Sequence, residues 1–478
     1  MFFGRNVFLS KGVTEEVSSS DRIHLQLSEK TVNILKKWAA SKPVKKKWVE
    51  GTMKVEDKSS DLKLKFHGNA RDHYIDDKYS FTIKFSSDKK TIFSGDRYKL
   101  VKGGQLNPSI MATNQKAHEM GLIANNDFKM VELFVNGENW GAYCLYQDIR
   151  KDYLTHFFGH KKFTILANYD DFSKKNRNYM VGHFSDFDQS HMHIKGKNDS
   201  LFYIALSRYK KINKFIENRD IDSLKPFVDI EYMGKFLALS MLYNDPHFLS
   251  GDNVKLIYNH ENDKFYPLFR IETIGAKRQA TAINLKGKER PLSFPLLDEW
   301  LWVSDEMYRE ENGQLFFKEC LRINKIRLAR NKELHKVVSS ESEYLYWLDS
   351  IHMNNKVVME KYEKKKYHYD WLHDYQKNLL KAHLVQVKKY LNYSNVYTTE
   401  YLKSDKCEIL IDAFVPLKIY YGDSLLKVCN SLSYTPSFQR KYKVFNIIKN
   451  RRNVKDFVFV NEITGDTVKT VRYNKIME

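Results

Sequence analysis

Two stretches of strict alternation, LKLKFHG at 62–68 and YSFTIKF at 79–85, constrain the fold of this chain most. In the first, Leu62, Leu64 and Phe66 alternate with Lys63, Lys65 and His67. In the second, Tyr79, Phe81, Ile83 and Phe85 alternate with Ser80, Thr82 and Lys84. Successive strand side chains point to opposite faces, so each stretch carries one apolar and one polar face, a pattern that a 3.6-residue period does not produce. They read as neighbouring half-buried strands whose polar faces line a cleft. VELFVNGENWGAYCLY (131–146) adds a hairpin, because Asn136-Gly137 between two apolar runs is the strongest short-range turn signal.

The period then changes. SLFYIALSRYKKINKFIENR (200–219) opens behind Asp199 and Ser200, both good N-cap residues. DIEYMGKFLALSMLYND (229–245) starts at Asp229, is apolar on most faces and must stop near Pro246, so it reads as a core helix that delivers Asp245 at its C-terminal end. VKLIYN and KFYPLFRIE, joined by HEND, form a second hairpin. In its last strand Arg270 and Glu272 are two residues apart and share one face, flanked by Phe269, Ile271 and Ile274. The stretches 168–199 and 276–299 are polar and aperiodic, the character of long loops, and the second has that of a mobile loop over a site. Helical patterning dominates from about 315 to 402, and the chain turns strand-rich from Cys407. The fold class is therefore α+β: a main domain over 1–403 and a small all-β module over 404–478. Within the main domain, strands occupy about 50–165, core helices about 200–300 and a helical region about 315–402.

Of the 478 residues, 42% are hydrophobic and 14% aromatic, enough to fold around a large core and inconsistent with a disordered chain. Lys and Arg exceed Asp and Glu by 79 to 59, a formal charge of +20 that favours anionic partners. The basic runs KKWAASKPVKKKW (36–48), EKYEKKKYHY (360–369) and KNRRNVK (449–455) are scattered and read as solvated surface. A nucleic-acid module would cluster basic residues with stacking aromatics; the sequence displays none, which disfavours nucleic acid as a partner. Cys144, Cys320, Cys407 and Cys429 lie far apart without a CxxC, so neither a zinc site nor a disulfide framework is expected. No apolar run reaches membrane-span length.

Alternating strands, an Asn-Gly hairpin, a core helix ending in Asp and a hairpin ending in a carboxylate follow one another in an order that resembles the CotH kinases, atypical protein kinase-like phosphotransferases of spore coats. The stretches that carry the resemblance are HGNARDHYIDDKYSFTIKF (67–85), VNGENWGAYCLYQDI (135–149), NDPHFLSGDNVKLIY (244–258) and FRIETIG (269–275). It implies an atypical kinase-like fold with antiparallel sheets and a helical region, and a reaction that moves a phosphoryl group from ATP, with Mg²⁺ or Mn²⁺, to a protein or glycan acceptor. Lys78 matches the lysine that reaches the nucleotide phosphates, Asp245 the catalytic aspartate, and Asn253 the metal-binding asparagine. Glu272 falls on the second acidic position of the W-D-x-D strand and so on the metal, while Asn69, Gln147 and Arg270 fall on nucleotide-site positions. The resemblance also implies an extracytoplasmic or cell-surface setting, with a cytoplasmic one as the alternative.

The same residues have plainer readings. Lys78 reads equally as an edge-strand lysine, His247 as a loop histidine and Asn253 as a turn residue in Ser-Gly-Asp-Asn. An acidic group at a helix C-terminus opposes the helix dipole, which favours a functional Asp245. Three charged positions depart from the family pattern: Arg270 stands where it has Asp, Gln147 where it has an acidic residue, and His67 where it has Arg. A guanidinium cannot ligate a metal, and a neutral amide cannot pair ionically with Lys78. The expectation is therefore threefold, in falling order: a phosphotransferase, a pseudokinase-like protein that binds nucleotide, glycan or a partner without transfer, and, least favoured, a nucleic-acid binder using the +20 charge.

Overall fold

The computed structural model describes residues 18, 21–41, 44–68, 73, 78–85, 93, 95–102, 108–167, 200–243, 249, 254–270, 312–362, 369–401, 406–429, 443–448 and 456–475. The chain divides into two units, one formed by 1–108, 127–147 and 349–372 and the other by 109–126, 148–348 and 373–478.

The first unit is a closed seven-stranded barrel. Its strands are β1 (Arg22–Gln26), β2 (Val49–Val55), β3 (Lys58–Phe66), β4 (Phe81–Phe85), β5 (Arg97–Lys102), β6 (Lys129–Val135) and β7 (Glu138–Gln147), in the order β1-β2-β3-β4-β5-β7-β6. Neighbours are antiparallel except where β6 returns beside β1, with Arg22 opposite Glu132 and Leu25 opposite Val135. That parallel pair closes what the sequence suggests as separate antiparallel sheets, and closure removes the exposed edges that open sheets must protect. The alternation in 62–85 places Leu62, Leu64, Phe66, Phe81, Ile83 and Phe85 inside, packed with Tyr98, Leu100, Leu133, Tyr143 and Leu145. Helix α1 (Glu29–Ala39), capped by the Ser28 hydroxyl at Thr31 N, buries Leu35 against this core, with Val32 and Trp38 beside it. The Asn136-Gly137 turn forms as expected, both residues at positive φ (50° and 84°).

Among the described residues, the barrel wall holds one buried carboxylate, that of Glu132. Glu132 is fully enclosed and accepts from Arg22 Nε (3.1 Å), Lys361 Nζ (2.7 Å) and Asn139 Nδ2 (3.1 Å). A carboxylate inside a protein requires such partners, and Glu132 ties β1, β7 and the 349–372 segment to β6.

The second unit is helical, with three small sheets. Helices α2 (Pro108–Glu119), α3 (Lys151–Phe158), α4 (Ser200–Glu217), α5 (Ile221–Leu224) and α6 (Ile230–Tyr243) are followed by α7 (Asn312–Arg322), α8 (Asn324–Ser339), α9 (Glu341–Tyr362) and α10 (Tyr369–Asn392). α9 and α10 each cross a boundary between the two divisions of the chain. α6 is buried from Tyr232 to Tyr243 apart from Lys235, as its all-round apolar sequence requires. Strand β8 (Phe163–Ala167) pairs with β9 (Lys255–Asn259), which pairs in turn with β10 (Lys264–Pro267). The C-terminal strands β11 (Ser394–Tyr401) to β17 (Thr470–Lys475) make sheets β15-β12-β11-β17 and β14-β13-β16, between them including β12 (Lys406–Ala413), β13 (Leu417–Tyr421), β14 (Ser424–Cys429), β15 (Lys443–Ile448) and β16 (Phe457–Asn461). They begin at Ser394, ahead of residue 404, because β11 lies between β12 and β17. All four cysteines are buried, and none of them forms a disulfide. Among the described residues no helix is long and apolar enough to cross a membrane.

Candidate functional site

The barrel gathers one set of the sequence-predicted residues at the ends of β3, β4 and β5. Beyond β3, His67 N donates to Ser80 O (2.8 Å), Ser80 N donates to His73 O (3.1 Å), and at the end of β5 Lys102 N donates to Ser80 Oγ (3.2 Å). Gly68 follows at φ +82°, and a Cβ on it would lie 1.9 Å from the His73 ring. Handedness and space therefore both demand glycine at this position. Lys78, two residues before Ser80, is half-buried. The segment His67-Gly68 and Lys78 thus share one end of the wall, where Lys102 adds a further cation. Asn69 lies outside the described residues.

Gln147 is placed elsewhere. It ends β7 opposite Tyr98, which is itself opposite Ile83. Lys78 lies three residues before β4 begins, whereas Gln147 sits level with the middle of β4 across β5. The Gln147 amide packs where Gly95 leaves room, since a Cβ at Gly95 would meet its Nε2 at 2.4 Å. In the second unit, the buried Asp148 carboxylate pairs with Arg150 (Oδ2 to Nε, 2.9 Å).

The second unit fixes the approaches to the other predicted residues. Asp229 caps α6 through Tyr232 N (3.0 Å) and pairs with Lys264 (3.4 Å). Tyr232 OH donates to Pro267 O (2.6 Å) and accepts from Ile123 N (3.0 Å). Burial pushes this hydroxyl well above the usual tyrosine range, so it remains a neutral donor. One helical turn on, the Phe236 ring meets the Phe269 ring edge-on at 5.8 Å. Phe269 N donates to Ile123 O (2.8 Å), bridging the strand's extension to Ala124. Two contacts, Tyr232 with Pro267 and Phe236 with Phe269, establish that α6 and the extension of β10 run side by side in the same direction. Four helical residues rise about 6 Å and two strand residues advance about 6.7 Å, so the two stay in step. At the opposite edge of the hairpin Leu268 N donates to Lys255 O (2.9 Å), which brings the start of β9 to the same end. Arg270, half-buried, is the last described residue of this extension. Asp245, His247, Asn253, Glu272 and the polar stretches 168–199 and 276–299 lie outside the described residues.

Among the described residues no three His, Cys, Asp or Glu side chains converge as a metal cluster. No protein-family model matches the chain, and no curated protein matches it.

Sequence reading treats the lysines of 62–85 as the polar face of a cleft and the run 36–48 as solvated surface. The register instead assembles Lys63, Lys65, Lys84, Arg97 and Lys99 on one outer wall beside Trp48. The alternation held the signal, but only the pairing of β3, β4 and β5 brings these distant residues together.

Proposed function

We propose that the chain is an ATP-dependent phosphotransferase of the atypical kinase type, acting with Mg²⁺ or Mn²⁺ on a protein or cell-surface acceptor. The observation that carries this reading is the parallel course of α6 and the β10 extension, fixed by Tyr232 at Pro267 and Phe236 at Phe269. Over the described residues the two segments run in one direction, and Asp245 and Glu272 follow them in the sequence. Val254, buried at the start of the hairpin, is preceded by Asn253. An asparagine amide and a glutamate carboxylate form an all-oxygen donor pair suited to a hard divalent cation. Such a cation screens the charge on the transferring phosphoryl group.

In the reaction, the acceptor hydroxyl oxygen attacks the γ-phosphorus and forms the new O–P bond. The bond from the γ-phosphorus to the β,γ-bridging oxygen breaks, and ADP departs with that electron pair. Asp245 takes the proton of the acceptor hydroxyl. Lys78, half-buried in the barrel unit, is the residue that the resemblance assigns to the nucleotide phosphates.

The second reading, binding without transfer, rests on the offset of Lys78 from Gln147 and on Arg270 standing in the first acidic position. Incubation with γ-labelled ATP and Mg²⁺ or Mn²⁺ separates the two. Labelling of the protein or an added acceptor that vanishes in Asp245→Asn supports transfer. Absent labelling with retained thermal stabilisation by ATP supports the binding protein, and labelling that survives Asp245→Asn refutes the assignment of the base.

A further inference from the structure

The outer wall of β3, β4 and β5 carries cations in ranks that a barrel does not need for folding. Lys63 is directly opposite Lys84, and Lys84 is directly opposite Arg97. In the adjacent rank Lys65 and Lys99 flank Thr82 on either side. Strands about 4.8 Å apart and ranks about 6.7 Å apart place five cations on a patch of nanometre size. Like charges directly opposite one another destabilise a sheet, so this arrangement opposes folding. Among the described residues, Glu50 reaches Lys63 at 3.6 Å with both side chains largely in water, and Asp61 accepts from the Thr52 hydroxyl at 3.3 Å. An exposed pair of this kind contributes little.

Trp48 lies across the patch. It precedes β2, yet the Lys65 ammonium lies over its ring at 4.9 Å and the Arg97 guanidinium, three strands away, at 5.6 Å. The indole nevertheless remains 37% exposed. Lys46, two residues earlier, has its pKa lowered from the usual lysine range by desolvation and by the nearby Lys65 charge. Arg97 Nε is shielded from solvent and has no hydrogen-bond partner among the described residues. A buried donor of this kind is costly until an acceptor meets it.

From these features we infer that the outer β3-β4-β5 wall binds single-stranded nucleic acid, with Lys63, Lys65, Lys84, Arg97 and Lys99 on phosphates and Trp48 stacked on a base. Cations interleaved with an exposed indole form the combination that tracks a backbone and holds unpaired bases. A duplex keeps its bases inside and gives the indole nothing to stack on. An acidic peptide or sulfated glycan uses the charge but not the ring. The wall belongs to the barrel alone and does not depend on the phosphotransfer reading.

The test is fluorescence anisotropy of a 5′-labelled dT20 titrated with the full chain, without ATP, from 25 to 300 mM NaCl. Binding should weaken as salt rises, with the logarithm of affinity falling by about 0.7 per phosphate contact for each tenfold increase in salt. Lys63→Ala/Lys84→Ala should make that slope shallower by about 1.4. Trp48→Ala should lose roughly tenfold in affinity at unchanged slope, and Trp48→Tyr, which keeps a ring and guards against misfolding, should retain most of it. No binding of dT20 at 25 mM NaCl overturns the inference. So does a heparin oligosaccharide or polyglutamate that binds as tightly as dT20 while Trp48→Ala leaves all three unchanged.

Discussion

The two units treat their basic residues in opposite ways. In the second, Arg330 is fully buried in α8, donating from Nη2 to Tyr390 OH and from Nε to Asn331 Oδ1, and Arg327 donates to Leu321 O. In the barrel, Lys63, Lys84 and Arg97 face outward in register against one another. A buried guanidinium surrounded by acceptors is committed to its own fold. A rank of like charges facing outward across a sheet adds nothing to its own fold and is open to an anion from outside. The +20 charge is therefore not one property: part of it is architectural, and part is presented to an anion.

If that contrast holds, truncations should separate widely. Arg330→Ala removes both a large buried volume and its hydrogen bonds, and urea denaturation should show a loss of about 3–5 kcal/mol. Lys84→Ala should fall within about 0.5 kcal/mol of the parent, or stabilise it slightly by relieving the repulsion. Equal losses in the two variants would erase the distinction.

The next effect concerns how α6 is seated against α8. Gly234 leaves no room for a side chain, since its Cβ would lie 2.5 Å from Ala329 Cβ and 3.0 Å from Arg330 N. Gly234→Ala should cost about 1–3 kcal/mol by overpacking, despite alanine's better helix propensity. A stabilised variant would mean that α6 and α8 are free to part, and with them the approach to Asp245.

A smaller effect comes from acid. His383 in α10 is buried, and its Nδ1 hydrogen-bonds Leu242 O at 3.1 Å near the end of α6. Desolvation lowers its pKa below the usual histidine value, outweighing the carbonyl contact that raises it. On acidification the unfolded chain therefore takes up this proton first, near pH 6.5. Stability from this group is present above that pH and falls as pH drops toward the folded pKa, by at most about 1.4 kcal/mol per pH unit. Denaturation of the parent and of His383→Gln between pH 7.5 and 5 should show a shallower acid loss in the variant. Identical pH profiles would remove His383 from the account.

Much of the architecture was legible in local pattern. The Asn136-Gly137 hairpin, the β9–β10 hairpin across HEND and the buried α6 starting behind Asp229 all formed where periodicity and turn chemistry place them. The barrel's closure was not legible, because β1 is only five residues long and its pairing with β6 spans Arg22 to Glu132, a contact that no local signal encodes. α1 was not read from the sequence, and only its last turn, from Lys36, overlaps the run taken as basic surface, though Ser28 marks its start. Of the site, the neighbourhood of His67-Gly68 and Lys78 follows from the two alternating strands, which pair directly. The separation of Gln147 from Lys78 does not, since it depends on the stagger between β4, β5 and β7. The cationic wall was missed for the same reason: its members lie far apart in sequence and meet only through register.

The central claim is that Asn253 and Glu272 hold a divalent cation at the nucleotide phosphates. A crystal structure grown with Mn²⁺ and a non-hydrolysable ATP analogue tests it most directly, through the anomalous signal of the metal. The account predicts a manganese peak ligated by the Asn253 amide oxygen and the Glu272 carboxylate, with analogue phosphate oxygens completing the shell and Asp245 facing the γ-phosphate. A bound analogue whose manganese touches neither Asn253 nor Glu272 would contradict it.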